Sequence, residues 1–152
     1  DKFGCEFFPK QKPWGQKVDI CMPAAYQNEL DVPEIEQIIA NGTKYYIEVA
    51  NMPTTNEGLD RAMAEPGMIV APSKAVNAGG VAVSALEMAQ NSMRYSWDGA
   101  EVDAKLVGIM KNIHKISVEA AEGAGLGYNL VAGANIAGFK KVAAAMMAQG
   151  LV

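Results

Sequence analysis

Short apolar runs alternate with segments of helical periodicity through the first two thirds of the chain. The runs at residues 18–22, 45–49 and 68–71 contain β-branched or aromatic residues and stop at proline or polar residues, which predicts three strands. Between them, residues 32–40 and a segment from Thr54 or Thr55 to about Ala64 repeat their apolar positions at helical spacing. Strands that alternate with helices in this way predict βαβ units in a parallel sheet.

The remainder of the chain predicts helices. One covers about residues 81–95 after Gly79 and Gly80, a second starts at Ser96 or Asp98 and reaches about Glu122, and a third covers residues 130–149. The buried side of the second is expected to carry Val102, Leu106, Ile109, Met110, Ile113, Ile116 and Val118. We therefore expect an α/β fold in one domain over residues 1–152, a partial Rossmann-like parallel sheet of about three strands with flanking and C-terminal helices.

Polar loops follow each of the predicted strands, at residues 23–28, 50–55 and 72–80. The carboxyl ends of parallel strands meet at one edge of a sheet, and open α/β sheets bind their ligands there. The polar residues of these loops are mostly amides and hydroxyls, which suit a carboxamide or a ribose but not a metal ion. This edge is the candidate ligand site.

The glycine pair at the start of the first long helix leaves two interpretations open. Gly79 and Gly80 could let the backbone approach a ligand, next to the free N–H groups of a helical first turn. They could equally form a tight strand-to-helix turn that binds nothing. The glycine-dense stretch at residues 123–127 lies between helices rather than after a strand, so it is interpreted as a connector and not a phosphate loop.

Composition narrows the class of partner. The 152 residues suffice for one domain, and the net charge of −4 argues against a nucleic-acid partner. Cys5 and Cys21 have no metal-ligand spacing around them, which favours a reduced, cytoplasmic protein. We find no signal-peptide pattern and no uninterrupted apolar run of the ~18 residues that span a membrane, so no membrane partner is expected. Because the chain begins at Asp1 rather than at methionine, we expect it to belong to a longer protein.

Few residues could carry out acid–base or nucleophilic chemistry. His114, the only histidine, falls in a long predicted helix beside Lys111 and Lys115 and is interpreted as a surface or packing residue. Lys74 lies in a candidate site loop, where a solvated or positioning role is commoner than catalysis. No paired carboxylates and no set of Ser, His and Asp or of Cys and His can be assembled. The residues therefore offer no assembled catalytic set, although Lys74 is harder to dismiss than His114.

Five segments resemble hexameric glutamate dehydrogenase: PAAYQNEL at 23–30, EVANMPTT at 48–55, APSKAVNAGGV at 71–81, SALEMAQN at 84–91 and GANIAGF at 133–139. The resemblance covers nearly the whole chain in order. It corresponds to the carboxyl-terminal third of such an enzyme, which is the second half of the cofactor domain and the closing helices.

The resemblance implies reversible oxidative deamination of L-glutamate to 2-oxoglutarate and ammonia with NAD or NADP, by a homo-oligomer that is commonly a hexamer. It also implies residue roles. Ala25 and Tyr26 would lie by the adenosine, Asn51 would approach the ribose and nicotinamide, and Asn77 would hold the nicotinamide carboxamide. Val81 and Ser84 would contact the side-chain end of the substrate.

Departures from the family pattern occur at three positions. The family usually has Thr where Tyr26 stands, which alters the adenosine contact, and Gly where Val49 and Ala85 stand. The glycine-rich dinucleotide fingerprint and the substrate domain with its catalytic lysine and aspartate would lie upstream of Asp1, so the isolated chain is expected to be inactive. The alternative interpretation is a non-catalytic half-Rossmann module for nucleotide binding or assembly.

Overall fold

The sheet is built from three short parallel strands. The structure, a computed structural model, describes residue 4 and residues 6–150. Strands β1 (Ile20–Cys21), β2 (Tyr45–Ile47) and β3 (Ile69–Ala71) lie in the order β1-β2-β3, with Ile20 opposite Tyr45 and Tyr46 opposite Val70. The predicted parallel sheet is confirmed, although each strand is shorter than its apolar run.

Six helices follow or connect the strands in the described part of the chain. They are α1 (Val32–Ala40), α2 (Asn56–Met63), α3 (Ser73–Val76), α4 (Ala78–Met93), α5 (Gly99–Gly123) and α6 (Leu130–Gln149). Helices α1 and α2 are the crossovers between successive strands, as a parallel sheet requires. The prediction of an α/β fold with C-terminal helices is therefore confirmed.

Side chains cap three of the helices, two of them at one of the two positions that the sequence offered. Asp31 forms a capping box with Glu34 at α1, and Thr55, not Thr54, accepts from the Gly58 N–H at α2 over 3.2 Å. Asp98, not Ser96, caps α5 through the Glu101 N–H at 2.8 Å. These caps satisfy N–H groups that a helix start otherwise leaves without an acceptor.

The core lies between the sheet and α1, α2 and the start of α6. Its buried residues are Cys21, Leu30, Ile35, Ile38, Tyr46, Ala62, Val70 and Val131, with Leu59 and Met63 partly buried against them. Burial raises the pKa of the Cys21 thiol to about 11, so this cysteine is a neutral core residue at pH 7. Cys5 lies outside the described residues.

The glycine pair proves to lie inside α4, which begins three residues earlier than predicted, at Ala78. A Cβ on Gly79 would come within 3.2 Å of Leu106 Cδ1 on α5, whereas one on Gly80 would meet nothing within 4 Å. Gly79 therefore lies in a helix-packing contact with α5 and not in the strand-to-helix turn of the second interpretation. The connector at 123–127 is confirmed: it ends α5 in a Schellman turn, with Gly125 N–H donating to Glu122 O and Leu126 N–H to Ala121 O.

The buried face of α5 differs from the prediction. Its buried residues are Ser117, Ala120 and Ala121, while Ile116 is exposed and the other predicted residues are only half-buried. These small residues allow α6 to approach closely at Gly133, where a Cβ would lie 1.9 Å from the Ser117 carbonyl oxygen. Hydrophobic periodicity missed this face because it gives weight to large apolar side chains.

Helix α6 is long and apolar enough, by length and composition alone, to cross a membrane. The sequence analysis missed this because Lys140 and Lys141 interrupt the apolar run. The first turn of α6 instead packs inside the protein, where Leu130, Val131 and Gly133 are buried. Its later apolar residues Phe139, Val142, Met146 and Met147 are exposed.

Candidate functional site

The loops after the strands meet at the carboxyl edge of the sheet. The first loop (residues 22–31) joins the second loop (residues 48–55) through Asn28 N–H to Met52 O at 2.9 Å and Leu30 N–H to Pro53 O at 3.0 Å. The Val49 N–H donates to Pro23 O, also at 3.0 Å. Backbone hydrogen bonds thus hold the two loops side by side, as the parallel sheet predicted.

The second loop also holds α3. The Ser73 N–H donates to Glu48 Oε2 at 3.1 Å, and the Met52 N–H donates to Ser73 Oγ at 3.4 Å. At the other end of α3, the Asn77 side-chain amide donates to Val49 O at 3.3 Å. All three strand ends are therefore connected through the second loop.

Two residues at the junction of the first and second loops have left-handed backbones. Asn28 has φ 53° and Met52 has φ 49°, and they share a hydrogen bond. Asparagine adopts this conformation readily, but methionine does so at a cost in free energy, and such residues concentrate at functional sites. The sequence analysis named neither residue. Asparagine is a residue type that favours this conformation and could have drawn attention to Asn28, whereas nothing in the sequence indicates it for Met52.

The predicted cofactor residues lie on these joined segments and are exposed. Ala25 and Tyr26 are on the first loop, Asn51 is on the second, and Asn77 follows α3. The hydrogen bond from Asn77 to Val49 O brings Asn77 against the segment that carries Asn51. Because this bond uses the Asn77 Nδ2, the Oδ1 is the atom of this side chain that remains to accept a hydrogen bond from a ligand.

The predicted substrate residues lie on α4 rather than on a loop. Val81 and Ser84 are three positions apart, so they share one face of the helix, and the Val81 side chain is 71% exposed. The Ser84 hydroxyl donates to Gly80 O at 3.2 Å within its own helix, which leaves its oxygen lone pairs free to accept. No described contact joins these two residues to the cofactor residues.

A cavity of about 650 Å³ lies beside these residues, not between them. It is bounded by residues of the first and second loops, α2, α3 and the start of α6, including Asn28, Thr55, Ser73, Lys74 and Asn135. None of the six predicted site residues lines it. The predicted site is therefore an open edge and not a closed pocket.

Lys74 and His114, the other candidate side chains, each have a hydrogen-bond partner. The Lys74 ammonium donates to Asn135 Oδ1 at 2.5 Å and thereby joins α3 to α6. His114 Nε2 is 2.7 Å from the Tyr128 hydroxyl on the exposed side of α5. Within residues 4 and 6–150, no three His, Cys, Asp or Glu side chains come together as metal ligands would.

The family's usual glycine is replaced by Val49 without backbone strain. The left-handed residues other than glycine in the described chain are Lys10, Asn28, Met52 and Arg94, so Val49 does not have the conformation that favours glycine. Both its N–H and its carbonyl oxygen are used in the contacts between segments. The backbone at this position therefore does not require glycine.

The chain is similar to known dehydrogenases. Residues 1–150 match the family described as Glutamate/Leucine/Phenylalanine/Valine dehydrogenase. The chain is 66% identical over 151 residues to the NAD-specific glutamate dehydrogenase of Clostridium symbiosum, with 99% of the chain and 34% of that protein covered. It is 52% identical over 151 residues to the NADP-specific glutamate dehydrogenase of Escherichia coli, with 99% and 33% covered.

Solved structures show the same fold. A glutamate dehydrogenase structure superposes with a TM-score of 0.96 at 65% identity, covering 99% of the chain and 34% of that structure. The glutamate dehydrogenase of Plasmodium falciparum gives a TM-score of 0.91 at 42% identity, with 97% and 32% covered. The chain thus spans about a third of the length of its curated relatives. On the match over residues 1–150, it belongs to the Glutamate/Leucine/Phenylalanine/Valine dehydrogenase family.

Proposed function

We propose that the chain is the carboxyl-terminal part of a glutamate dehydrogenase, with residues 1–152 forming part of its dinucleotide-binding domain together with the closing helices. The whole enzyme would interconvert L-glutamate with 2-oxoglutarate and ammonia. The observation that carries this proposal is the carboxyl edge of the sheet, where hydrogen bonds between loops present Asn51 and Asn77 to solvent. The family match favours this reaction over a non-catalytic nucleotide-binding module.

The proposed cofactor is NAD or NADP. An NAD-specific relative and an NADP-specific relative both align with 99% of this chain, at 66% and 52% identity. The residues that determine the preference for NAD or NADP are therefore proposed to lie elsewhere in the enzyme. Such a cofactor supplies hydride transfer when bound. The residues of this chain would position it: Ala25 and Tyr26 at the adenosine, Asn51 at the ribose and nicotinamide, and Asn77 at the carboxamide. Hydrogen bonds at this edge would hold the nicotinamide in a fixed position relative to the substrate.

Val81 and Ser84 are proposed to contact the side-chain end of glutamate. Both are exposed on one face of α4, which places an apolar surface beside a hydroxyl. An aliphatic chain that ends in a carboxylate suits this pair, because Val81 can cover methylene groups while the Ser84 hydroxyl donates to the carboxylate. For that donation the Ser84 hydroxyl would leave Gly80 O, its present acceptor.

The whole protein is proposed to be a cytoplasmic homo-oligomer, a hexamer. Cys21 supports a reducing compartment, because it is a free cysteine in the core. Denatured and native mass determination on the protein from its source tests the assembly. The covered fraction of 34% predicts a subunit about three times heavier than 16.1 kDa, and the proposed hexamer predicts a native mass of six such subunits.

The purified 152-residue chain is expected to form no NADH or NADPH from glutamate. The reason is that the chain covers only 34% of the length of a relative, and the family's catalytic lysine and aspartate are proposed to lie in the remainder of the enzyme. In this chain, His114 is hydrogen-bonded to Tyr128 and Lys74 to Asn135. Absorbance at the reduced nicotinamide band, with the source enzyme as positive control, measures this. Glutamate-dependent turnover by the purified chain would contradict the prediction. Saturable nucleotide binding without turnover would instead support the module interpretation.

Substitutions at the two proposed subsites are expected to have reciprocal effects in the whole enzyme. Asn77→Ala removes an acceptor proposed for the cofactor, so the KM for the cofactor should rise about tenfold while the KM for glutamate changes little. Ser84→Ala should raise the KM for glutamate about tenfold and leave the KM for the cofactor nearly unchanged. Steady-state kinetics with each ligand varied in turn measures both. Equal effects of either substitution on both KM values would contradict the residue roles.

A further inference from the structure

Glu48 is a buried carboxylate at the end of β2 that the proposed residue roles do not use. It is 3% exposed, and within the described residues no Lys, Arg or His forms an ion pair with it. Burying a carboxylate is costly unless hydrogen bonds replace its hydration. Its Oε2 accepts a hydrogen bond from the Ser73 N–H at 3.1 Å, and the residue also lines the cavity of about 650 Å³.

The hydrogen bond from Ser73 to Glu48 also bears on the position of Asn77. Ser73 is the first residue of α3, whose four residues end just before Asn77. The Asn77 N–H donates to Ser73 O at 2.9 Å, so the two ends of this turn are tied to each other. Whatever holds Ser73 also fixes the position of Asn77.

The second loop holds this turn at both ends with two consecutive residues. The Glu48 side chain accepts from the Ser73 N–H, and the Val49 carbonyl accepts from the Asn77 side chain at 3.3 Å. Glu48 itself is fixed by its own N–H, which donates to Ala71 O at 3.0 Å. Glu48 is thus attached to the sheet through its backbone N–H and to the turn through its carboxylate.

From this geometry we infer that Glu48 is a positioning residue: it fixes the turn so that the free Asn77 Oδ1 accepts a hydrogen bond from the carboxamide N–H of a nicotinamide. This inference rests on the proposed function and deepens it. Glu48 acts through Ser73 and Asn77 and does not touch the ligand. It should therefore affect the nicotinamide end of the cofactor without affecting the adenosine end.

The test compares two ligands in the whole enzyme. The oxidised cofactor carries a nicotinamide, while ADP-ribose, or its 2′-phosphate for an NADP enzyme, has the adenosine and diphosphate without it. Glu48→Met keeps the approximate length of the side chain and removes the acceptor, so it should raise the Kd of the cofactor about tenfold and that of ADP-ribose less than about twofold. Glu48→Gln retains an oxygen acceptor and should restore the Kd of the cofactor to within about threefold of wild type.

A second pair of variants removes the donor instead of the acceptor. Ser73→Pro deletes the N–H at a helical first position that accepts proline, whereas Ser73→Ala keeps the N–H and removes only the hydroxyl. The proline variant should reproduce the selective loss of cofactor affinity, and the alanine variant should not. Thr43→Val is the stability control, because Thr43 is also buried but bonds to Val18 O, away from the second loop.

The results distinguish a failure of the positioning role of Glu48 from a failure of the proposed function. Selective loss in Glu48→Met and Ser73→Pro, with recovery in Glu48→Gln, supports the inference. Equal loss of both ligands in these variants means a merely structural role and overturns it, and so does a Thr43→Val variant with the same selectivity. If Glu48→Met does not fold, the Ser73 pair decides between these results. A wild-type enzyme that neither binds cofactor nor oxidises glutamate overturns the proposed function, and with it this inference.

Discussion

Gly133→Ala is expected to lower the free energy of unfolding by about 3 kcal/mol or more, the upper end of what overpacking costs. A Cβ at this position would lie 1.9 Å from the Ser117 carbonyl oxygen, 2.8 Å from its carbonyl carbon and 3.2 Å from the Ala121 Cβ. The two nearest atoms belong to the backbone of α5 and cannot rotate away as the end of a side chain can. Helices α5 and α6 must therefore separate to admit a methyl group.

Gly138→Ala provides the matched control, on the same helix. A Cβ at Gly138 would meet nothing within 4 Å, and the residue is exposed. Because glycine is a poor helix former, this substitution should raise the free energy of unfolding by about 0.5–1 kcal/mol. Urea denaturation followed by circular dichroism measures both variants. Equal stability of the two would contradict the close contact between α5 and α6.

Tyr46→Ala is expected to lower the free energy of unfolding by about 3–5 kcal/mol, because the ring is fully buried and its removal leaves a cavity in the core. Leu30, Ile35 and Val70 belong to the same buried cluster. The Tyr46 hydroxyl is 2.6 Å from Thr54 Oγ1, and burial raises the pKa of Tyr46 above its usual value, so the phenol stays protonated. This bond connects the core to the second loop.

Tyr46→Phe separates the hydrogen bond from the packing. It keeps the ring but leaves the buried Thr54 hydroxyl without this partner. The free energy of unfolding should therefore fall by about 1–3 kcal/mol. Tyr45→Ala is the matched control, since Tyr45 precedes Tyr46 on the same strand and is 41% exposed, and it should cost about 1 kcal/mol or less. Thermal denaturation ranks the three variants. A Tyr45→Ala variant as unstable as Tyr46→Ala would show that burial does not determine the cost.

Local sequence features predicted the elements near the sheet well. Ile35 and Ile38 are buried on α1 as their spacing indicated, and Thr55 and Asp98 cap the helices that they were expected to begin. The convergence of the strand-end loops also followed from sequence, because alternation of strands and helices implies parallel strands, and parallel strands present their carboxyl ends at one edge. Each of these inferences depends on residues close together in the chain.

The predictions were less accurate where distant segments meet. The buried face of α5 consists of Ser117, Ala120 and Ala121, because α6 approaches so closely at Gly133 that only small side chains fit. Gly79 lies within α4 and packs against Leu106 of α5. Neither contact could be read from hydrophobic periodicity, which records the size and polarity of side chains but not the distance to another helix.

The sequence by itself determined the alternation of elements, the narrow choice of caps at α2 and α5, the convergence of the strand-end loops and, through its motifs, the family. Those features are local or shared with relatives. Only the tertiary structure showed that Glu48 is buried, that it holds α3 by the Ser73 N–H, and that Asn77 returns to Val49 O. The physical reason is that these contacts join residues 25 and 28 positions apart. Folding brings such residues together through the packing of the whole sheet, which no local pattern encodes.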